Sequence, residues 1–158
     1  MKKEQIRDYT LRISQANASG LVVIIYELLL DCLEDAKVAQ SQQDMEQYTK
    51  HVKKARRYMG ELIHGLNMQD AIARQLAKRY IFLHKELLTM ERKPDQEKLS
   101  KLTEAVLDMQ KHFIRIAKED AEEPIMANTQ KVYAGLTYGR NQLNETTLDY
   151  GGNRGYQV

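Results

Sequence analysis

A single cysteine, Cys32, occurs in 158 residues, so no intrachain disulfide can form and a reducing compartment is the natural setting. Tryptophan is absent, and the two prolines, Pro94 and Pro124, leave long stretches free of helix breakers. Neither sign of charge dominates: 24 Lys and Arg stand against 22 Asp and Glu. A net charge of +2 is too weak a field to steer the chain towards nucleic acid or an anionic membrane. The longest apolar run, "LVVIIYELLL" from Leu21 to Leu30, is ten residues broken by Glu27, half of the about 20 that a membrane span needs. Lys2 and Lys3 are followed by polar and acidic residues rather than by the apolar core of a secretory signal. These absences predict one soluble, cytoplasmic domain with no membrane insertion and no nucleic-acid partner.

What the chain does have is helical rhythm. Val22, Ile25, Leu29, Cys32, Ala36 and Ala39 recur at intervals of three and four, which returns side chains to one helix face. The same spacing runs from Met45 to Leu66, from Ala73 to Met90 and from Leu99 to Ile116. Asp44 and Asp70 stand where N-caps belong, and Pro94 fits the first turn of the last segment. The spacing predicts helices over 18–42, 44–66, 70–92 and 95–121, joined by short connections that favour antiparallel neighbours. The expected fold is therefore all-α: an antiparallel four-helix bundle over 17–122, a short helical cap over 1–16 and a non-helical tail over 123–158. Val22, Ile25, Leu29, Val52, Met59, Leu62, Leu76, Leu83, Leu87, Leu102, Val106 and Phe113 are its expected core.

The first bundle helix carries more than one seam. Val23, Tyr26, Leu30 and Leu33, with Ile24 and Leu28 beside them, form a second apolar stripe that one bundle seam does not use. Glu27, Asp31, Glu34 and Asp35 fall on a narrow strip that reads as solvated. Ahead of it Ile6, Tyr9 and Ile13 repeat the helical spacing, so this segment is a candidate lid for the extra stripe. Ile6, Tyr9, Ile13, Val23, Tyr26 and Leu30 are accordingly the predicted partner-binding residues, with Tyr26 placed off the core. After Pro124 the composition shifts: five of the eight glycines and four of the nine tyrosines lie in 125–158. That segment reads as extended chain and turns, with Tyr133, Leu136 and Tyr138 as docking anchors.

Chemistry is poorly represented. Glu61 and His64, on one helix face, could contribute to a di-metal carboxylate centre, but no second Glu-x-x-His exists, and the pair reads as surface residues. Cys32 lies on a seam, where a thiol behaves as a small hydrophobe. The cluster "KKARRY" (Lys53 to Tyr58) spreads its charge around a helix, and "YGGNRGY" lacks the strand and helix that frame a phosphate loop. The expectation is no enzyme, no metal and no cofactor.

The segment "ISQANASGLVVIIYELLLDCL" resembles the signature of the FliS flagellin export chaperones, V-x-T-A-S-P-G-E-L-x-L-M-L-Y-D-G-x-L. Ile13, Ala16, Leu21 and Tyr26 fall on its valine, alanine, leucine and tyrosine, and Asn17 on its capping serine. "KKARRYMGELIHGLN" and "IARQLAKRYIFLHKELL" resemble two later family segments, through Ala55, Glu61, Leu62 and Leu66 and through Ile72, Ala73, Leu76 and Tyr80. Ala18, Ser19 and Gly20 replace the family's Pro-Gly-Glu, and Glu27-Leu28 replaces its Asp-Gly.

The resemblance implies a cytosolic chaperone that holds the C-terminal segment of flagellin, blocks premature filament assembly and presents the subunit to the flagellar export gate. It implies a client that wraps the bundle through apolar grooves on its outside. "ANTQKVYAGL" in the tail also faintly resembles the end of flagellin, which would make 125–158 a tethered mimic of the client. The alternative is a bundle that uses its spare stripe to form a homodimer or to serve as an adaptor.

Overall fold

The computed structural model describes residues 2–16 and 18–122. Within them lie five helices and no strand element: α1 (Lys3–Gln15), α2 (Ala18–Ser41), α3 (Met45–His64), α4 (Ala71–Arg92) and α5 (Gln96–Glu122). The last four are the expected bundle helices, each starting and stopping within two residues of the limits read from the periodicity.

Local chemistry sets the boundaries. Asp44 Oδ1 accepts from Gln47 N at 3.1 Å and Asp70 Oδ2 from Ala73 N at 2.9 Å, so both expected N-caps are in place. At α5 the cap is Asp95, whose Oδ1 accepts from Lys98 N at 3.0 Å. Pro94 therefore precedes the cap instead of occupying the first helical turn, because a carboxylate that meets an orphan N–H fixes the start more strongly than a preset φ does. The predicted cap Asn17 lies outside the described residues.

The turn between α2 and α3 is tighter than its sequence suggests. Gln43 adopts a φ of 60°, and Asp44 N donates to Ala39 O while Gln43 N donates to Gln40 O, the paired bonds of a Schellman motif. Asp44 thus closes one helix and caps the next. Since an L-residue held in this region is disfavoured by about 1 kcal/mol, Gln43→Gly should raise the unfolding free energy by about 0.5–1 kcal/mol in urea titration. No gain would mean that the Gln43 side chain compensates the strain.

The core follows the seams. Of the twelve residues expected inside, eleven are buried, and Leu76 is half-buried against the cluster. Helix α2 is the hub, packing on α3, α5 and α1 and burying eleven residues from Leu21 to Ala39. At about 1.5–3 kcal/mol for each large aliphatic chain fully removed from water, this helix contributes more to the core than any amphipathic helix with one seam could. Its run of apolar residues is the cost of having three neighbours.

An aromatic cluster joins three helices within the core. The Tyr26 and Tyr80 hydroxyls share a hydrogen bond, and their rings meet edge to face at 6.4 Å. The Tyr26 ring also lies 6.3 Å from Phe113. On the opposite flank Arg56 Nε donates to Glu91 Oε1 at 2.6 Å, tying α3 to α4 through a carboxylate only 8% exposed. No helix among the described residues is long and apolar enough to cross a membrane.

Candidate functional site

Helix α1 lies on α2 without burying any residue of its own. Its outer face still carries Ile6 and Leu11, 50% and 56% exposed. Ile13 and Ala16 pack against the core at its C-terminal end, while Tyr9 is half-buried. What fixes α1 in register is polar. Tyr9 Oη donates to Asp31 Oδ2 at 2.7 Å, and Arg12 donates through both Nη atoms to the two Glu27 oxygens at 2.6 and 2.9 Å. The Arg12 guanidinium also sits 5.6 Å over the Tyr9 ring.

Glu27 and Asp31 are therefore not the solvated strip expected of them; they are the two acceptors of a latch. With Ile24 and Leu28 they form one row of α2 at offsets of three, four and seven. Ile24 and Leu28 are 3% and 7% exposed yet stand apart from the main core cluster, as residues shielded by α1 would. Helix α1 does pack on α2, and its hydrogen bonds to α2 fall on this row. Burial and the Asp31 bond push the Tyr9 phenol up, and the Glu27 bonds do the same for Arg12, so both donors keep their protons across neutral pH. An ion pair this exposed contributes at most about 1 kcal/mol, and the tyrosine–carboxylate bond about 1.5–3 kcal/mol. The latch is sufficient to align α1 and too weak to make its closure irreversible.

Tyr26, predicted on the outer stripe, is 1% exposed and belongs to the core. Three neighbours widen the buried arc of α2 until it takes in Tyr26 and Leu33. Val23 and Leu30 remain outside as half-buried residues packed on the core edge. They sit three before and four after Tyr26, hence beside the ring contact between α2 and α5. On α5, Lys98 reaches Glu86 of α4 at 3.5 Å, and Leu107 and Ile114 lie roughly opposite Lys98 around the helix, on the flank turned to α2. Both are exposed, at 37% and 42%. Periodicity alone passed over Leu107 and Ile114, although they are seven apart and each one residue off the seam, which is the signal that would have found them. Helical spacing puts Val23 and Leu30 of α2, and Leu107 and Ile114 of α5, towards the boundary between these two packed helices.

A sequence model of the family described as "Flagellar protein FliS" matches residues 2–120. The chain belongs to the FliS family. Its general role is that of a flagellar export chaperone, in a family of flagellin-binding chaperones rather than of enzymes. No curated protein matches the chain. The match takes in the lid as well as the bundle, so α1 is part of what makes this a FliS chain. At the position of the signature's Asp-Gly, this FliS has Glu27, which accepts from Arg12, and Leu28, which is buried.

Cys32 is 3% exposed, and burial pushes its thiol up to about 11, which leaves no reactive thiolate at neutral pH. Among the described residues no group of three or more His, Cys, Asp or Glu could hold a metal ion, and His64 is exposed. The anchors Tyr133, Leu136 and Tyr138 lie outside the described residues.

Proposed function

We propose that this FliS is a cytosolic export chaperone that binds the C-terminal segment of flagellin, prevents its premature polymerisation and delivers it to the flagellar export gate. The observation that carries the reading is the seating of α1: a helix with no buried residue of its own lies on α2, held by three hydrogen bonds to the row that also carries the buried Ile24 and Leu28. Displacing it would uncover those two residues together with the freed Glu27 and Asp31 carboxylates, next to Val23 and Leu30 on the same helix. An amphipathic segment laid into such a surface is a recurrent mode of peptide recognition. A disordered client needs a large surface, because its gross binding energy must offset the ordering of the segment itself.

A lid that competes with the client lowers apparent affinity by the fraction of time the seat is covered. Tyr9→Phe combined with Arg12→Ala removes the latch and leaves the bundle core untouched. Calorimetric titration with the flagellin C-terminal peptide should then give binding about three- to tenfold tighter than wild type, the equivalent of about 1 kcal/mol. Unchanged affinity would mean that α1 does not compete, and weaker affinity that the client uses Tyr9 and Arg12 directly.

A further inference from the structure

The α3–α4 face is remote from α1 and presents a different surface. On α4 the residues Lys78, Ile81, Lys85, Leu88 and Arg92 follow one another at intervals of three, four, three and four, forming a single straight row. All five are exposed, and no carboxylate pairs with them among the described residues. The two acids of the helix are committed elsewhere, Glu86 to Lys98 and Glu91 to Arg56, and neither lies on the row. Phe82, 62% exposed, borders it. An exposed aromatic beside Ile81 and Leu88 has no part in holding the bundle together, and at interfaces such residues are frequent anchors.

Gly60 supplies an independent observation. It sits inside α3, where glycine costs about 1 kcal/mol relative to alanine. A Cβ at Gly60 would meet nothing within 4 Å, so packing within this chain does not require the glycine. The helices are antiparallel and Arg56 meets Glu91, which places Gly60, one turn further along α3, beside the turn of α4 around His84 and Leu88. A missing side chain at that point leaves open space next to the row, where another backbone can approach closely.

We propose that this face is a second docking site, taking an acidic amphipathic helix of a partner protein while the α1 side serves the client. The row spans about 21 Å, the length of a helix of about fourteen residues. Ile81 and Leu88 would receive its apolar residues, and Lys78, Lys85 and Arg92, which alternate with them along the row, the carboxylates between those residues. Charge complementarity of this kind selects orientation and partner. Nucleic acid would not use the apolar pair between the cations.

The test is calorimetry on the full chain with a synthetic helix of about fourteen residues that alternates glutamate and leucine at intervals of three and four along one face. Lys78→Glu with Lys85→Glu should weaken binding by about tenfold or more, as should Ile81→Ser with Leu88→Ser. Gly60→Leu should do the same without lowering the melting temperature, since a Cβ at this position meets nothing within 4 Å and a helix interior gains by losing its glycine. Saturating flagellin peptide should leave the probe's affinity within about twofold, and the charge-reversed variant should still bind flagellin peptide normally. The proposal is overturned by no binding, by equal binding of a peptide with its leucines scattered around the helix, or by preference for phosphatidylglycerol vesicles. Competition with flagellin peptide would assign the face to the client's own path. Self-association that is lost in Ile81→Ser with Leu88→Ser, seen by sedimentation, would assign it to a second copy of this chain.

Discussion

Tyr26→Ala should destabilise the bundle by about 3–5 kcal/mol, the range for removing a large aromatic from a packed interior. The ring touches Tyr80 on α4 and Phe113 on α5, so its loss opens a cavity where three helices meet. Small domains hold about 5–15 kcal/mol in total, so this variant should melt near working temperature or fail to accumulate. Tyr26→Phe keeps the ring and loses only the hydroxyl bond to Tyr80, at about 1 kcal/mol. Urea titration of both variants separates packing from hydrogen bonding. A loss below about 1 kcal/mol for the alanine variant would return Tyr26 to the surface role that its sequence position suggests.

Leu30→Asp should have the largest effect on the client. Leu30 is half-buried at the core edge, towards the boundary between α2 and α5. A carboxylate there remains hydrated in the free protein and loses its water only when a client segment covers it. Affinity for the flagellin C-terminal peptide should fall by about a hundredfold or more, near 2.7 kcal/mol, with helicity by circular dichroism retained. Phe82→Asp, on the far side of the bundle, serves as the control and should leave this affinity unchanged. Equal binding by Leu30→Asp and wild type would remove the α2–α5 boundary from the client's path.

The bundle was legible because a core seam and a cap each leave a local mark. Intervals of three and four located all four long helices, and Asp44 and Asp70 marked two starts. What escaped was set by residues distant in sequence. Tyr26 has a hydroxyl, which favours a surface assignment, but its partner Tyr80 lies 54 residues away. Glu27 and Asp31 share a face with Glu34 and Asp35 by spacing alone, yet among the described residues only the first two accept hydrogen bonds from α1. The pair on α5 escaped for another reason: Leu107 and Ile114 do repeat, and a reading that seeks one seam per helix stops at the first. Gly60 differs again, since its helix forms in spite of it and only the empty space at its Cβ gives it meaning.

Only two positions separate the end of α1 at Gln15 from the start of α2 at Ala18. A helix leashed so closely stays near its seat even when the latch is open. Its return is unimolecular, and short tethers of this kind act like a local concentration on the order of millimolar. Dilution therefore weakens the grip of a free client and leaves the lid unaffected. If α1 competes with the client as proposed, it reclaims its own surface as the cargo is drawn off, and the release step needs no outside competitor.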